Sequence, residues 1–208
     1  MQEELSLWNL CLQGGFIMIP LALLAVISVY IFIERTIVVN RANKQDPTFM
    51  RRINDYIHDG EIESALNLCK HTNTAYSALI AKGISRIGRP MQDVLVTVEN
   101  MGNIQIARLG KGLTWLATTA AGAPMLGFLG TVVGMVDAFH SMAAAGSAAT
   151  LSTFADGIYT ALVTTVAGLI VGVIALFAYN YLVSRINSVM KLLEGKTMEF
   201  MDMLNEPA

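Results

Sequence analysis

Residues 120–139 read AAGAPMLGFLGTVVGMVDAF, and residues 157–175 read GIYTALVTTVAGLIVGVIA. Both lie in one stretch, Leu113 to Val183, whose 71 residues contain no Lys or Arg. Its only carboxylates, Asp137 and Asp156, flank the turn between two apolar segments. That pattern reads as a membrane hairpin, because each segment exceeds the roughly 20 residues a helix needs to cross hydrocarbon. Gly130 and Gly134 stand four apart in the first segment, as do Gly168 and Gly172 in the second. Glycine at that spacing lets helix backbones approach where lipid supplies no hydrophobic drive for association. Stepping by three or four, Ala120, Ala123, Gly127, Gly130 or Thr131, Gly134 and Ala138 make one flat face. Ala161, Thr164 or Thr165, Gly168, Gly172 and Ala175 make another. Such faces pack against the other span, a neighbouring copy or a foreign helix. Pro124 removes a bond to the Ala120 carbonyl and is expected to bend the first helix.

The rest of the chain agrees with a membrane class. Of 208 residues, 54% are apolar and only 14% charged, too few charges for an ordinary soluble domain. A net charge of -2 indicates no nucleic acid or other polyionic partner. All fourteen Lys and Arg fall between Arg35 and Lys111 or between Arg185 and Lys196. The positive-inside rule assigns both blocks to the cytoplasm and the N-terminus to the outside, which requires three spans. The expectation is therefore an all-α, three-span polytopic membrane protein whose long helices extend into a cytoplasmic helical region. Its parts are an external interfacial segment (1–15, with Leu5, Trp8 and Leu12 at helical spacing), span 1 (16–35), the cytoplasmic helical region (36–112), span 2 (113–142), an external loop (143–153), span 3 (154–184) and a cytoplasmic tail (185–208). The start lacks a basic n-region, so span 1 is expected to be retained. Cys11 and Cys69 are assigned to opposite sides and are not expected to pair.

The cytoplasmic region carries ten basic and seven acidic residues over 36–111, which fits a place near anionic lipid. Short helices are expected around 51–57, 61–70, 75–86 and 91–111, broken at Asp59-Gly60, Asn73 and Gly88-Arg-Pro90. His58 and His71 have no Cys or carboxylate at metal-ligand spacing, and no phosphate loop or nucleophile elbow is present. No enzyme activity, cofactor or metal is expected.

Mid-span, no Asp, Glu, His, Lys or Arg occurs. Threonine hydroxyls there can donate and accept hydrogen bonds but cannot hold a proton as a carboxylate does. If the chain couples to proton flow, the titrating acid must come from another polypeptide and this chain supplies a polar wall. Near the span ends, Asp137 and Asp156 are candidates for collecting protons on the outer side. The alternatives are a solvated interfacial carboxylate for Asp137 and, for Asp156, a helix cap with Thr153. His140 reads as exposed at the loop.

Ala123-Pro-Met-Leu-Gly-Phe-Leu-Gly-Thr131-Val-Val-Gly-Met-Val-Asp137-Ala-Phe139 and Gly157-Ile-Tyr-Thr-Ala-Leu-Val-Thr-Thr165-Val-Ala-Gly-Leu169 resemble the core signature of the MotA/TolQ/ExbB proton-channel family. The chain is most similar to the ExbB and TolQ branch. The resemblance implies a homo-oligomeric ring, a pentamer, in the bacterial inner membrane, with a periplasmic N-terminus and a cytoplasmic C-terminus. The ring would enclose the spans of a smaller partner similar to ExbD or TolR, whose single Asp carries the proton. It further implies that Thr131 and Thr165 face that Asp and that protonmotive energy passes to a TonB-like third protein toward the outer membrane. Thr160 and Thr164 are secondary candidates for lining the passage. Thr160 stands where many relatives carry a Glu. Competing readings are a TolQ-like envelope-maintenance subunit and a passive assembly scaffold held by the glycine faces. A self-sufficient transporter is weakened by the odd span count and uncharged spans, and the flagellar-stator branch by its four spans.

Overall fold

The computed structural model describes residues 15–44, 46–146 and 151–205, apart from the side chains of residues 145, 151–153 and 156. The interfacial helix expected around Trp8, the site of Cys11 and the tip of the expected external loop lie outside the described residues. Among the described residues every regular element is a helix: α1 (Met18–Ala42), α2 (Phe49–His58), α3 (Ile62–Thr72), α4 (Ala75–Ile84), α5 (Met91–Leu109), α6 (Leu113–Ala145) and α7 (Leu151–Asn205). Three of them, α1, α6 and most of α7, are long and apolar enough to cross a membrane.

Local chemistry sets the breaks between the short helices. Asp46 accepts from the Thr48 hydroxyl at 2.7 Å and the Thr48 amide at 2.9 Å, which turns the chain into α2 and holds that carboxyl below its usual range. Asn73 takes a left-handed conformation (φ 45°) after α3, which asparagine tolerates better than most residues. Thr74 then caps α4: its hydroxyl accepts from the Ser77 amide at 3.3 Å, and Ser77 Oγ accepts from the Thr74 amide at 2.9 Å.

The chain divides into two compact units. One takes in Met1–Ile33 and Gly112–Asn180, the other Glu34–Lys111 and Tyr181–Ala208. All fourteen Lys and Arg belong to the second. The first unit exposes large apolar side chains such as Phe16, Met125, Phe128 and Phe177, an arrangement suited to lipid and hostile to water. The second has an ordinary globular core. Phe49, Ile53, Ile80, Val98, Val189 and Phe200 are fully buried there. The Phe49 and Tyr76 rings meet edge to face at 5.0 Å.

Several boundaries differ from the sequence expectation. α6 continues to Ala145 and α7 is already helical at Leu151, so the connection is shorter than 143–153. Ala143-Ala-Ala145 is a run of the strongest helix former, and it extends the element. Thr153 accordingly lies inside α7 rather than ahead of it. As expected of long helices that extend beyond the spans, α1 runs unbroken past Glu34-Arg35 to Ala42 and α7 runs unbroken through the tail, about 80 Å in all. Span 2 has no such helical extension. α5 stops at Leu109, and Gly112 adopts φ +88°, a conformation that costs a residue with a Cβ and breaks the helix before Leu113. Arg35 pairs with the Glu34 carboxylate and also donates to the Arg108 carbonyl at 3.1 Å, tying α1 to the last turn of α5.

Cys69 is 3% exposed, and burial pushes its thiol up to about 11. In a Cys11→Ser background at pH 8, maleimide labelling of the native protein is expected to be at least tenfold slower than in denaturing detergent. Equal rates would contradict the packing of α3.

Candidate functional site

The two small-residue faces meet each other within one chain. α6 and α7 run antiparallel with their backbones in contact: a methyl group built on Gly168 would lie 2.6 Å from the Ala123 carbonyl oxygen and 2.8 Å from Gly127 Cα. No side chain fits at that crossing, which is why glycine faces glycine there. One turn further along, the Pro124 ring fills the space that Gly172 leaves open, its Cγ 2.6 Å from where a Cβ would be. α6 remains helical on both sides of Pro124. In the other direction the Thr164 side chain occupies the place opposite Gly130, and Ala161 the place opposite Gly134. Ala138 packs against Gly157, and the Phe139 and Phe154 rings close the series at 5.3 Å.

Thr131 and Thr165 lie within this seam. Their hydroxyls touch each other across the hairpin. Each also donates to a main-chain carbonyl of the opposite helix: Thr131 Oγ1 to Ala161 O at 3.1 Å, and Thr165 Oγ1 to Gly127 O at 3.1 Å. Thr131 Oγ1 also reaches the carbonyl of its own helix at Gly127, at 3.4 Å. A hydroxyl has one hydrogen, so Thr131 can serve only one of these three acceptors at a time and keeps lone pairs free to accept. Both side chains are half-buried. The result is a small, uncharged group of oxygens with exchangeable hydrogen bonds, in a segment with no Asp, Glu, His, Lys or Arg beside it.

The remaining candidates are placed differently. Thr164 is 1% exposed, and its hydroxyl donates to the Thr160 carbonyl one turn back at 3.0 Å while its methyl packs toward Gly130. That is a packing knob with a satisfied hydroxyl. Thr160 is half-buried, one turn from Thr164. Asp137 and His140 are exposed on the last turns of α6. Asp156 falls in the first turns of α7, and its side chain lies outside the described residues. No cluster of three metal-ligating side chains occurs among the described residues.

Three participants escaped the sequence reading: one glycine and two main-chain carbonyls. Gly157 is the last rung of the α7 face, four residues before Ala161, and its continuation of that series was the available signal. The carbonyls of Gly127 and Ala161 are the acceptors for the threonines. No residue letter announces a main-chain acceptor, so only the close backbone approach reveals them.

Replacing Gly168 by Ala forces a backbone shift at the crossing and is expected to cost about 1 to 3 kcal/mol. Gly195→Ala has no atom within 4 Å of the added methyl and is expected to stabilise α7 by up to about 1 kcal/mol. Thermal unfolding in detergent should lower Tm for the first and leave or raise it for the second. Equal behaviour of the two would contradict the glycine crossing.

The sequence pattern of the MotA/TolQ/ExbB proton channel family matches residues 71–195. Among curated proteins the chain is similar to an ExbB-like biopolymer transport protein of Synechocystis sp., with 30% identity over 83% of this chain and 69% of that protein. It is also similar to an ExbB homologue of Methanothermobacter thermautotrophicus, at 29% identity over 79% of this chain and 60% of the relative. The TolQ protein of the Tol-Pal system of Haemophilus influenzae is 28% identical over 91% of this chain and 89% of its own length.

Proposed function

This chain belongs to the MotA/TolQ/ExbB proton channel family, and from that premise we propose that it is the ring-forming subunit of a proton-driven motor of the ExbB type. It is a multi-pass membrane protein with a role in proton-driven energy coupling. In the proposed arrangement, copies of this chain surround the spans of a smaller ExbD-like or TolR-like protein in the bacterial inner membrane, N-terminus outside. The partner supplies an intramembrane carboxylate. Energy passes outward through a TonB-like third protein.

The observation that carries the reading is the Thr131 and Thr165 pair in a span pair with no mid-span Asp, Glu, His, Lys or Arg. Such a wall can offer a hydrogen bond to a protonated or an ionised carboxyl, because a threonine hydroxyl donates or accepts as required. It cannot retain the proton. The partner's acid therefore remains the only group that changes charge, and a proton moving through 100 mV releases about 2.3 kcal/mol to drive it. Thr160 in place of a family Glu is consistent with that economy, since the partner's acid suffices. Asp137, exposed at the end of α6, is suited to gathering protons on the outer side, and Asp156 is assigned the same role or an electrostatic one at the start of α7.

The cross-hairpin hydrogen bonds complicate a simple test, because deleting a hydroxyl also loosens the seam. Interhelical hydrogen bonds in membranes average about 0.6 kcal/mol, so Thr131→Val with Thr165→Val should lower stability by only about 1 kcal/mol. Proton flux through the complex in liposomes is expected to fall at least tenfold in that variant. Thr131→Ser with Thr165→Ser should retain most of it. If the Val variant conducts normally while remaining assembled, the hydroxyls are packing groups and the scaffold reading takes precedence.

A further inference from the structure

A groove of about 540 Å³ lies in the second unit between α5 and the last part of α7. Its floor is Leu79, Ile106 and Leu193, laid open because Gly102 has no side chain, and Met190, Met198 and Met201 form much of the α7 wall. Met198 is 69% exposed and Met190 37%. These long, unbranched thioethers adapt to whatever apolar surface is laid on them. The rim carries three carboxylates, Glu99 on α5 and Glu194 and Asp202 on α7, and no Lys or Arg lines the groove. All three acids are exposed, and none takes part in an ion pair among the described residues. Every Lys and Arg of the chain belongs to this same unit. The nearby Lys196 is already paired with Glu199.

From this charge pattern we infer that the groove docks a basic amphipathic segment of the partner polypeptide, apolar residues against the methionines and Lys or Arg against the acid rim. The inference rests on the ring-and-partner reading. A single-span partner that passes energy outward has its body on the outer side and a short stretch left in the cytoplasm. The positive-inside rule makes such a stretch basic. The groove belongs to the unit that the same rule assigns to the cytoplasm. It would thus hold the inner end of the partner, while the threonine seam meets its span.

The test uses the full-length protein in detergent. A dye-labelled peptide of Leu and Lys at helical spacing should bind with an affinity that falls at least tenfold between 50 and 500 mM salt. Binding should also fall at least tenfold in Glu99→Gln with Glu194→Gln and Asp202→Asn, and in Asn103→Trp, which plugs the groove without changing its charge. Binding that survives both variants overturns the docking site. A photo-crosslinking residue placed at Asn103 in the co-expressed complex then identifies the natural occupant. A cross-link to the cytoplasmic stretch of a single-span partner supports the assignment. A cross-link to another copy of this chain assigns the groove to the contact between copies and overturns it. If the partner co-purifies and protons flow, yet Asn103 captures nothing, the groove inference fails and the motor reading stands. If no single-span protein co-purifies, both fail.

Discussion

The contact on which the rest of the hairpin depends is backbone on backbone, where Gly127 of α6 lies against Gly168 of α7 with no room for a methyl group. Inside a bilayer, apolar side chains gain little by leaving lipid for protein, so two helices associate through close van der Waals contact and hydrogen bonds. Both follow from the glycines. Once the main chains approach this closely, carbonyls that ordinarily serve only their own helix come within reach of hydroxyls on the other. Thr131 finds Ala161 O, and Thr165 finds Gly127 O. The glycine crossing and the threonine pair are thus one feature: the first creates the separation at which the second can form.

That feature also limits the chemistry. A seam of hydroxyls and carbonyls is polar enough to accompany a proton-carrying group and too weakly basic to take the proton from it. A carboxylate on this chain would cost several kcal/mol in the bilayer centre and would need its own partner. In the proposed arrangement, dividing the task between two polypeptides avoids that cost in each copy of this chain. The surrounding surface agrees. The unit that contains the seam has no Lys or Arg and exposes large apolar groups, whereas every Lys and Arg and the water-compatible core belong to the second unit.

The sequence carried the class of fold and the two packing faces, because period and composition are written directly in residue letters. Leu113 to Val183 without a cation could hardly be anything except a hairpin, and the steps of three and four through Gly127, Gly130 and Gly134 marked the side that packs. It left open which partner those faces choose, since a flat face fits any other flat face equally well. Boundaries were legible only approximately. The alanine run at Ala143 to Ala145 lengthened α6, and α7 is already helical at Leu151, ahead of the start read at Thr153. The two glycines around Lys111 ended α5 where a continuous helix into span 2 had been expected. Thr164 and Thr165 were indistinguishable by spacing. Only the geometry separates the buried knob, whose hydroxyl turns back one turn to the carbonyl of Thr160, from the neighbour that reaches across the hairpin. The acid-rimmed groove was out of reach altogether, since it joins residues near 100 with residues near 200.

In the proposed motor this chain forms the wall and another polypeptide forms the titrating site. Reconstituting the purified chain alone into liposomes, imposing a pH gradient and an electrical potential, and following internal pH with an entrapped dye tests it most directly. A leak no greater than that of empty vesicles is expected, with flux restored when a single-span partner bearing an intramembrane Asp is co-reconstituted. Flux from the lone chain equal to that of the complex would contradict it.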